Sequence, residues 1–329
     1  MAHMAVKTQL SKGDFTKILT NYDLGEYKHS QPINEGTVQT NFLLQTIRGK
    51  AVFRYYENRS KDSVSFEVNL IKYLRSQNYP CPAPFKNNRG MYIDTYNKKP
   101  FVIFEFVEGY HIEDPNESQK MQLIRKVAEL QYITKNYRPF KKSHRWNYSI
   151  ELCEALARKE ALRIATPNAK QKLTWFEGEL SKLNLPRSLP KGICHCDFHF
   201  SNVLFRDDTF HALLDFDDAN YTFLAFDLAT LIDPFISAFQ WNTWSMFRKD
   251  ENVLDFERAR KIISEYIKYR PLKENEKRHF FDIYKLSLMF DCIWYFERGN
   301  ATDFYEKRKL EYLNAIGKNE FYNNLFCSE

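Results

Sequence analysis

At 329 residues, with 43% hydrophobic and 27% charged residues, the chain has the make-up of a folded globular protein, long enough for two domains or one two-lobed unit. Its net charge of +6 is spread without a dense Lys/Arg run, which argues against a nucleic-acid arm while suiting attraction of a small polyanion. No stretch approaches the roughly 20 apolar residues of a membrane helix, and the six cysteines match no disulfide framework or zinc spacing.

The opening MAHM reads as a cloning remnant, because no apolar signal-peptide core follows it. A cytoplasmic protein without a membrane or nucleic-acid partner is therefore expected. "FTKILTNYDL" has a helical pattern, and "TNFLLQT" and "KAVFRYYE" are runs of strand formers separated by Arg48-Gly49. In "SVSFEVNLIKYLRSQ", Val64, Val68, Ile71, Leu70 and Leu74 recur at helical spacing, and the pattern stops before Pro80, Pro82 and Pro84. A further strand, "KPFVIFEFVEG", closes on Gly109. From Asp114-Pro115 onward helical patterns dominate (118–135, 150–163 and 167–183). A short β segment at 192–215 is the one break before they resume to the end. The fold class this order predicts is α+β and bilobal, with a small β-rich lobe over 5–106 and a larger, mostly helical lobe over 107–329.

The chemistry concentrates in "HCDFHFSN", residues 195–202. Asp197 and Asn202 lie on a loop that leads into a strand, and "HALLDF" carries Asp215 at the end of the partner strand. Antiparallel pairing would bring the three side chains to one point. An aspartate able to accept a hydroxyl proton, beside an Asn and an Asp that offer oxygen ligands to Mg²⁺, is what phosphoryl transfer from ATP to a small-molecule hydroxyl substrate requires. Cys194-His195-Cys196 is the one cluster with metal-ligating residue types, but in a strand His195 would point away from the two thiols.

Glu67 sits in the apolar stripe of its helix and needs a partner. Arg54, which interrupts "AVFRYY", is the expected one, forming a pair that would grip the nucleotide phosphates. Gly36 and Thr37, in the turn of "INEGTVQTNF", are candidates for the phosphate loop. The Glu105 carbonyl and Val107 amide are candidates for the adenine edge. Asp217, beside Asp218, could meet a substrate ammonium group or could be a plain loop residue.

On these residues the chain resembles the aminoglycoside phosphotransferase and choline kinase superfamily over nearly its whole length. The H-x-D-x-x-x-x-N motif is matched by His195, Asp197 and Asn202, and "LLDFDDA" is similar to the family's I-D-F stretch. The resemblance implies Asp197 as catalytic base, Asn202 and Asp215 as metal ligands, and Asp227 in "FLAFDLA" as a loop brace. "TQLSKGDFTKILTNYDLGEYKHSQPINEGTVQTNFLL" and "CPAP" resemble the bacterial type II homoserine kinases, which implies L-homoserine as acceptor, MgATP as donor and a place in threonine synthesis. Cys196 and Arg54 depart from the usual family residues, Gly and Lys. Two other acceptor classes stay open. Choline or ethanolamine would sit in an aromatic box drawn from Trp241, Trp244, Trp294, Tyr295 and Phe296. An aminoglycoside would call for an acidic patch, and 297–329 is nearly balanced in charge. A nucleotide-binding pseudokinase is the non-enzymatic alternative, against which the joint presence of Asp197, Asn202 and Asp215 speaks.

Overall fold

The structure, a computed structural model, describes residues 7–34, 38–233, 254–294 and 296–327. Gly36, Thr37, Trp241, Trp244 and Tyr295 lie outside these residues, as does the Trp294 side chain.

The first lobe begins with α1 (Lys12–Leu19), which starts three residues before the apolar pattern does. Its start is fixed by Ser11, whose hydroxyl accepts from the Asp14 amide while the Asp14 carboxylate accepts from the Ser11 amide at 2.7 Å. This reciprocal box satisfies two amides that the first turn leaves without helical partners. There follow β1 (Tyr27–Ile33), β2 (Thr40–Thr46), β3 (Gly49–Tyr55), α2 (Lys61–Ser76), β4 (Asp94–Tyr96) and β5 (Lys99–Glu105). The strands form one antiparallel sheet in the order β1-β2-β3-β5-β4. The β2–β3 turn is closed by Gly49 at φ +135°, a conformation that side chains disfavour.

Period-two alternation on β2 buries Phe42 and Leu44 against α1, where Phe15 meets Phe42 and Phe53 edge-on at 5.0 and 5.3 Å. On α2, Val64, Val68, Leu70, Ile71 and Leu74 are all buried, as their spacing predicts, and Glu67 is buried among them.

Beyond β5 the chain passes Gly109, where an added Cβ would lie 2.9 Å from the Phe205 carbonyl oxygen. That close approach lets Tyr110 exchange backbone hydrogen bonds with Phe205 (3.0 and 2.9 Å), tying the crossing between the lobes to the later hairpin. The "CPAP" segment and the Pro80 before it make a second tie: the Leu213 amide donates to the Pro80 carbonyl, and the Glu105 amide of β5 donates to the Ala83 carbonyl.

The second lobe contains α3 (Glu117–Ile133), α4 (Ile150–Ile164), α5 (Pro167–Leu180), β6 (Lys191–Cys194), β7 (Val203–Arg206), β8 (Thr209–Leu213), β9 (Asn220–Phe223), α6 (Ala225–Ile232), α7 (Phe256–Ile267), α8 (Glu274–Trp294) and α9 (Tyr305–Phe326). β7 pairs with β8 as expected. β6 pairs with β9, a strand that extends the β island past residue 215. Both β9 and the three-residue β4 are too short to carry a period of their own, so neither was visible in the sequence pattern. A buried ion pair, Lys285–Glu179 at 2.9 Å, is completed by Asn314 and joins α8, α5 and α9. Among the described residues no helix is long and apolar enough to cross a membrane.

Candidate active site

The β7–β8 hairpin brings the motif residues together. Asn202 ends a short 3-10 turn (Phe200–Asn202) just before β7, and its carbonyl accepts from the Leu214 amide at 2.8 Å, which sets Asp215 beside it. The Asn202 amide nitrogen donates to the Asp197 carboxylate at 2.7 Å and to the Asp197 carbonyl at 2.9 Å. Both partners can only accept, so the amide oxygen of Asn202 is turned away from Asp197 and is left for a cation.

Two residues of the motif stand in the left-handed region, Cys196 at φ +64° and Asp215 at φ +54°. Such a conformation costs a residue with a Cβ on the order of 1 kcal/mol and needs outside support. At Cys196 the support is Asp227, in the first turn of α6, whose two carboxylate oxygens accept from the His195 and Cys196 amides at 3.1 and 2.8 Å. Below this turn the His195 ring meets the Leu214 carbonyl at 2.9 Å and packs edge-on against Phe216 at 4.9 Å. His195 thus ties the two sides of the loop pair together from beneath.

Burial works against the charge of Asp197, but the hydrogen bonds it accepts from His199 and from the Asn202 amide help to outweigh it, and this carboxyl stays below the usual range. Asp197 is ionised at neutral pH. Its side chain is still 38% exposed, so a substrate hydroxyl has access to it.

Arg54 reaches across the cleft, and its guanidinium pairs with the Asp215 carboxylate at 2.7 Å. This corrects the expected Arg54–Glu67 pair: no ion pair joins those two side chains. The reason is Tyr56, just past the end of β3. Its hydroxyl donates to Glu67 at 2.9 Å, and its ring lies 5.5 Å below the guanidinium. Burial raises the Glu67 pKa, with the Arg54 charge opposing. One oxygen of Glu67 and the Nε of Arg54 are buried with no hydrogen-bond partner, so the guanidinium keeps a donor that an anionic ligand would satisfy.

Asp217 is a second correction. Its carboxylate is held by Arg59 through both oxygens (3.0 and 2.8 Å) and by Gln39 at 3.0 Å, and it is 6% exposed. With both oxygens engaged it is not free to meet a substrate ammonium. Arg59 stacks on Trp146 at 4.5 Å, and Arg145 clamps the same loop by donating to the carbonyls of Phe216, Asp217 and Ala219 and to the Ser63 hydroxyl. Neither arginine was singled out from the sequence, since the partners of both lie far along the chain. Asp218 is the partly open member of the pair; burial, then the Asp217 and Asp197 charges, push its pKa up to about 7.

Of the remaining candidates, Glu105 turns its side chain toward Arg75 at 3.6 Å, and the Val107 amide has no acceptor among the described residues. Both stand where the chain leaves β5. Phe296, offered for an aromatic box, is buried against Phe176 in the helical core. Asp291 of α8 has its pKa pushed well up by burial and by the Asp233 carboxylate, with Lys309 opposing and Glu306 and Asp197 adding further.

Residues 29–272 match the profile of the phosphotransferase enzyme family. A homoserine kinase of Rhodospirillum rubrum is 31% identical over 95% of this chain and 89% of its own length, and that of Bartonella henselae is 30% identical over 95% and 90%. Among solved structures, an aminopropanol kinase associated with a microcompartment (TM-score 0.65, 16% identity, 94% of this chain and 99% of that one) and a choline kinase from Cryptosporidium parvum (0.62, 14%, 96% and 98%) share the fold.

Proposed function

We propose that this chain, which belongs to the phosphotransferase enzyme family and transfers a phosphoryl group to a hydroxyl, takes that group from MgATP and passes it to L-homoserine, with Asp197 as the base. The observation that carries the reading is the joined set Asp197–Asn202 and Asp215–Arg54, which gathers a base, two hard oxygen donors and a phosphate-binding cation at one point.

Oxygen donors on Asn202 and Asp215 fit Mg²⁺, a hard cation that fills its remaining positions with water and phosphate oxygens. Bound there, the ion would supply charge neutralisation to the transferring phosphoryl group. The protein's own side chains do the rest. Arg54 holds phosphate oxygens through the donors it now shares between Asp215 and an unfilled Nε–H. Asp197 accepts a hydrogen bond from the acceptor hydroxyl, aims its oxygen and takes the proton. A carboxyl held below its usual range is a weak base, which suits a loose transition state in which the proton leaves late. The Glu105 carbonyl, at the end of β5, and the Val107 amide just beyond it would serve the adenine edge.

One feature supports an amino-acid acceptor: relatives of about 30% identity that span nearly the whole chain are homoserine kinases. The test is ADP release with MgATP against L-homoserine, choline, ethanolamine, methylthioribose and kanamycin. Selective turnover of L-homoserine is expected. Preference for another acceptor would overturn the substrate, and nucleotide binding without turnover of any acceptor would favour a pseudokinase.

A further inference from the structure

Asp197 has a second tether besides Asn202. The Nε2 atom of His199 lies 2.5 Å from one carboxylate oxygen of Asp197, and the Nδ1 atom lies 2.6 Å from the Ser201 hydroxyl. Asn202 holds the other oxygen of Asp197 at 2.7 Å. An ionised carboxylate only accepts, so the ring nitrogen facing it must carry the hydrogen. In the neutral ring Nδ1 is then an acceptor, and the Ser201 hydroxyl supplies its hydrogen. Ser201 therefore selects the tautomer that Asp197 needs.

Two donors on opposite oxygens fix the plane of a carboxylate about its last torsion, which is otherwise soft and roughly two-fold. Each oxygen keeps one lone-pair direction for a further donor. We infer that Ser201 and His199 form a positioning pair that locks the plane of Asp197, so that its remaining lone pair is aimed at the acceptor hydroxyl before the substrate arrives. This rests on the reading of Asp197 as base. His199 touches neither nucleotide nor acceptor in this account; it acts through Asp197, and its removal should cost orientation rather than binding.

The experiment compares His199→Ala, His199→Gln and Ser201→Ala with the parent in steady-state kinetics, alongside melting temperatures and ring nitrogen-15 spectra of the full chain. Expected for His199→Ala is a fall in kcat of about 10- to 100-fold with KM for MgATP within about 3-fold. His199→Gln, whose amide nitrogen reaches the place of Nε2, should recover most of that loss. Ser201→Ala should lower kcat a few-fold, and the His199→Ala/Ser201→Ala double variant should be no worse than His199→Ala alone. The parent spectrum should show the Nε2–H tautomer, lost or mixed in Ser201→Ala. A kcat for His199→Ala within 2-fold of the parent, or a loss that tracks a lowered melting temperature and is not rescued by Gln, would overturn the inference. A parent that turns over no acceptor would instead overturn the reading of Asp197 as base. The nitrogen-15 spectrum still decides the tether in that case, since an Nδ1–H or mixed tautomer in the parent removes it.

Discussion

Arg54 and Asp215, 161 residues apart in sequence, are joined by a 2.7 Å ion pair across the cleft between the lobes. One is the cation proposed for the nucleotide phosphates, and the other is a proposed metal ligand, so each occupies the seat the other's ligand will take. The pair must open when MgATP enters, with phosphate oxygens replacing Asp215 on the guanidinium and the cation replacing Arg54 on the carboxylate. Arg54→Ala should therefore act in opposite directions on the two ligands. KM for MgATP should rise by about 10-fold or more, while Mg²⁺ titrated against the nucleotide-free protein should bind more tightly, because Asp215 is no longer neutralised. Arg54→Lys should fall between, keeping charge but losing the fork. Metal affinity of Arg54→Ala at or below the parent's would show that the ion pair does not compete with the metal.

Asp197 accepts from His199 on one oxygen and from Asn202 on the other, so the variant that tests it must keep its shape, as Asn does, and not truncate it. Asp197→Asn should keep the fold and nucleotide affinity within about 3-fold while lowering kcat by roughly 1,000-fold or more, the combined worth of orientation and proton removal. Turnover within about 10-fold of the parent would remove Asp197 as the base.

The loop that follows Asp215 is fastened by Arg59, whose side chain and that of Asp217 are 10% and 7% exposed. Breaking one side of such a pair strands a buried charge, at a cost of about 3 kcal/mol. Arg59→Ala should lower the unfolding midpoint accordingly, and Arg59→Ala combined with Asp217→Asn should be less destabilised than the sum of the single changes. Strict additivity in chemical denaturation would mean that the pair carries no coupling.

Legibility in the sequence followed the range of the interaction. The fold class could be read from period and punctuation. The hairpin geometry could be read because Asp197, Asn202 and Asp215 are only 18 residues apart in all, with a short turn between two strands. What failed involved partners far apart in sequence. The Arg54–Glu67 pair was reasonable from a strand and the helix after it, but the Tyr56 hydroxyl takes Glu67, and the carboxylate that Arg54 meets comes from the other lobe. The role of Asp217 stayed open between a substrate contact and a plain loop residue because Arg59, its partner, is 158 residues away. Arg145 closes on backbone carbonyls, an acceptor type that every residue offers and no pattern reveals.

Glu306, in the first turn of α9, is 5% exposed, and burial pushes its pKa up from 4.5 to about 7 despite the facing cations Lys309 and Lys172, with Asp233 adding to the rise. The sign follows from proton counting. Between pH 4.5 and 7 the folded chain keeps a proton that the unfolded chain has released, so stability falls as pH rises through this window. Below it the group costs nothing; above it the cost is complete, at most about 3 kcal/mol. Glu306→Gln removes the titration. Relative to the parent, its unfolding free energy should therefore rise steadily between pH 5 and 8, measured by urea denaturation at each pH. A stability difference that stays flat over this range, or that shrinks with rising pH, would show that Glu306 is already ionised in the folded protein, balanced by Lys309.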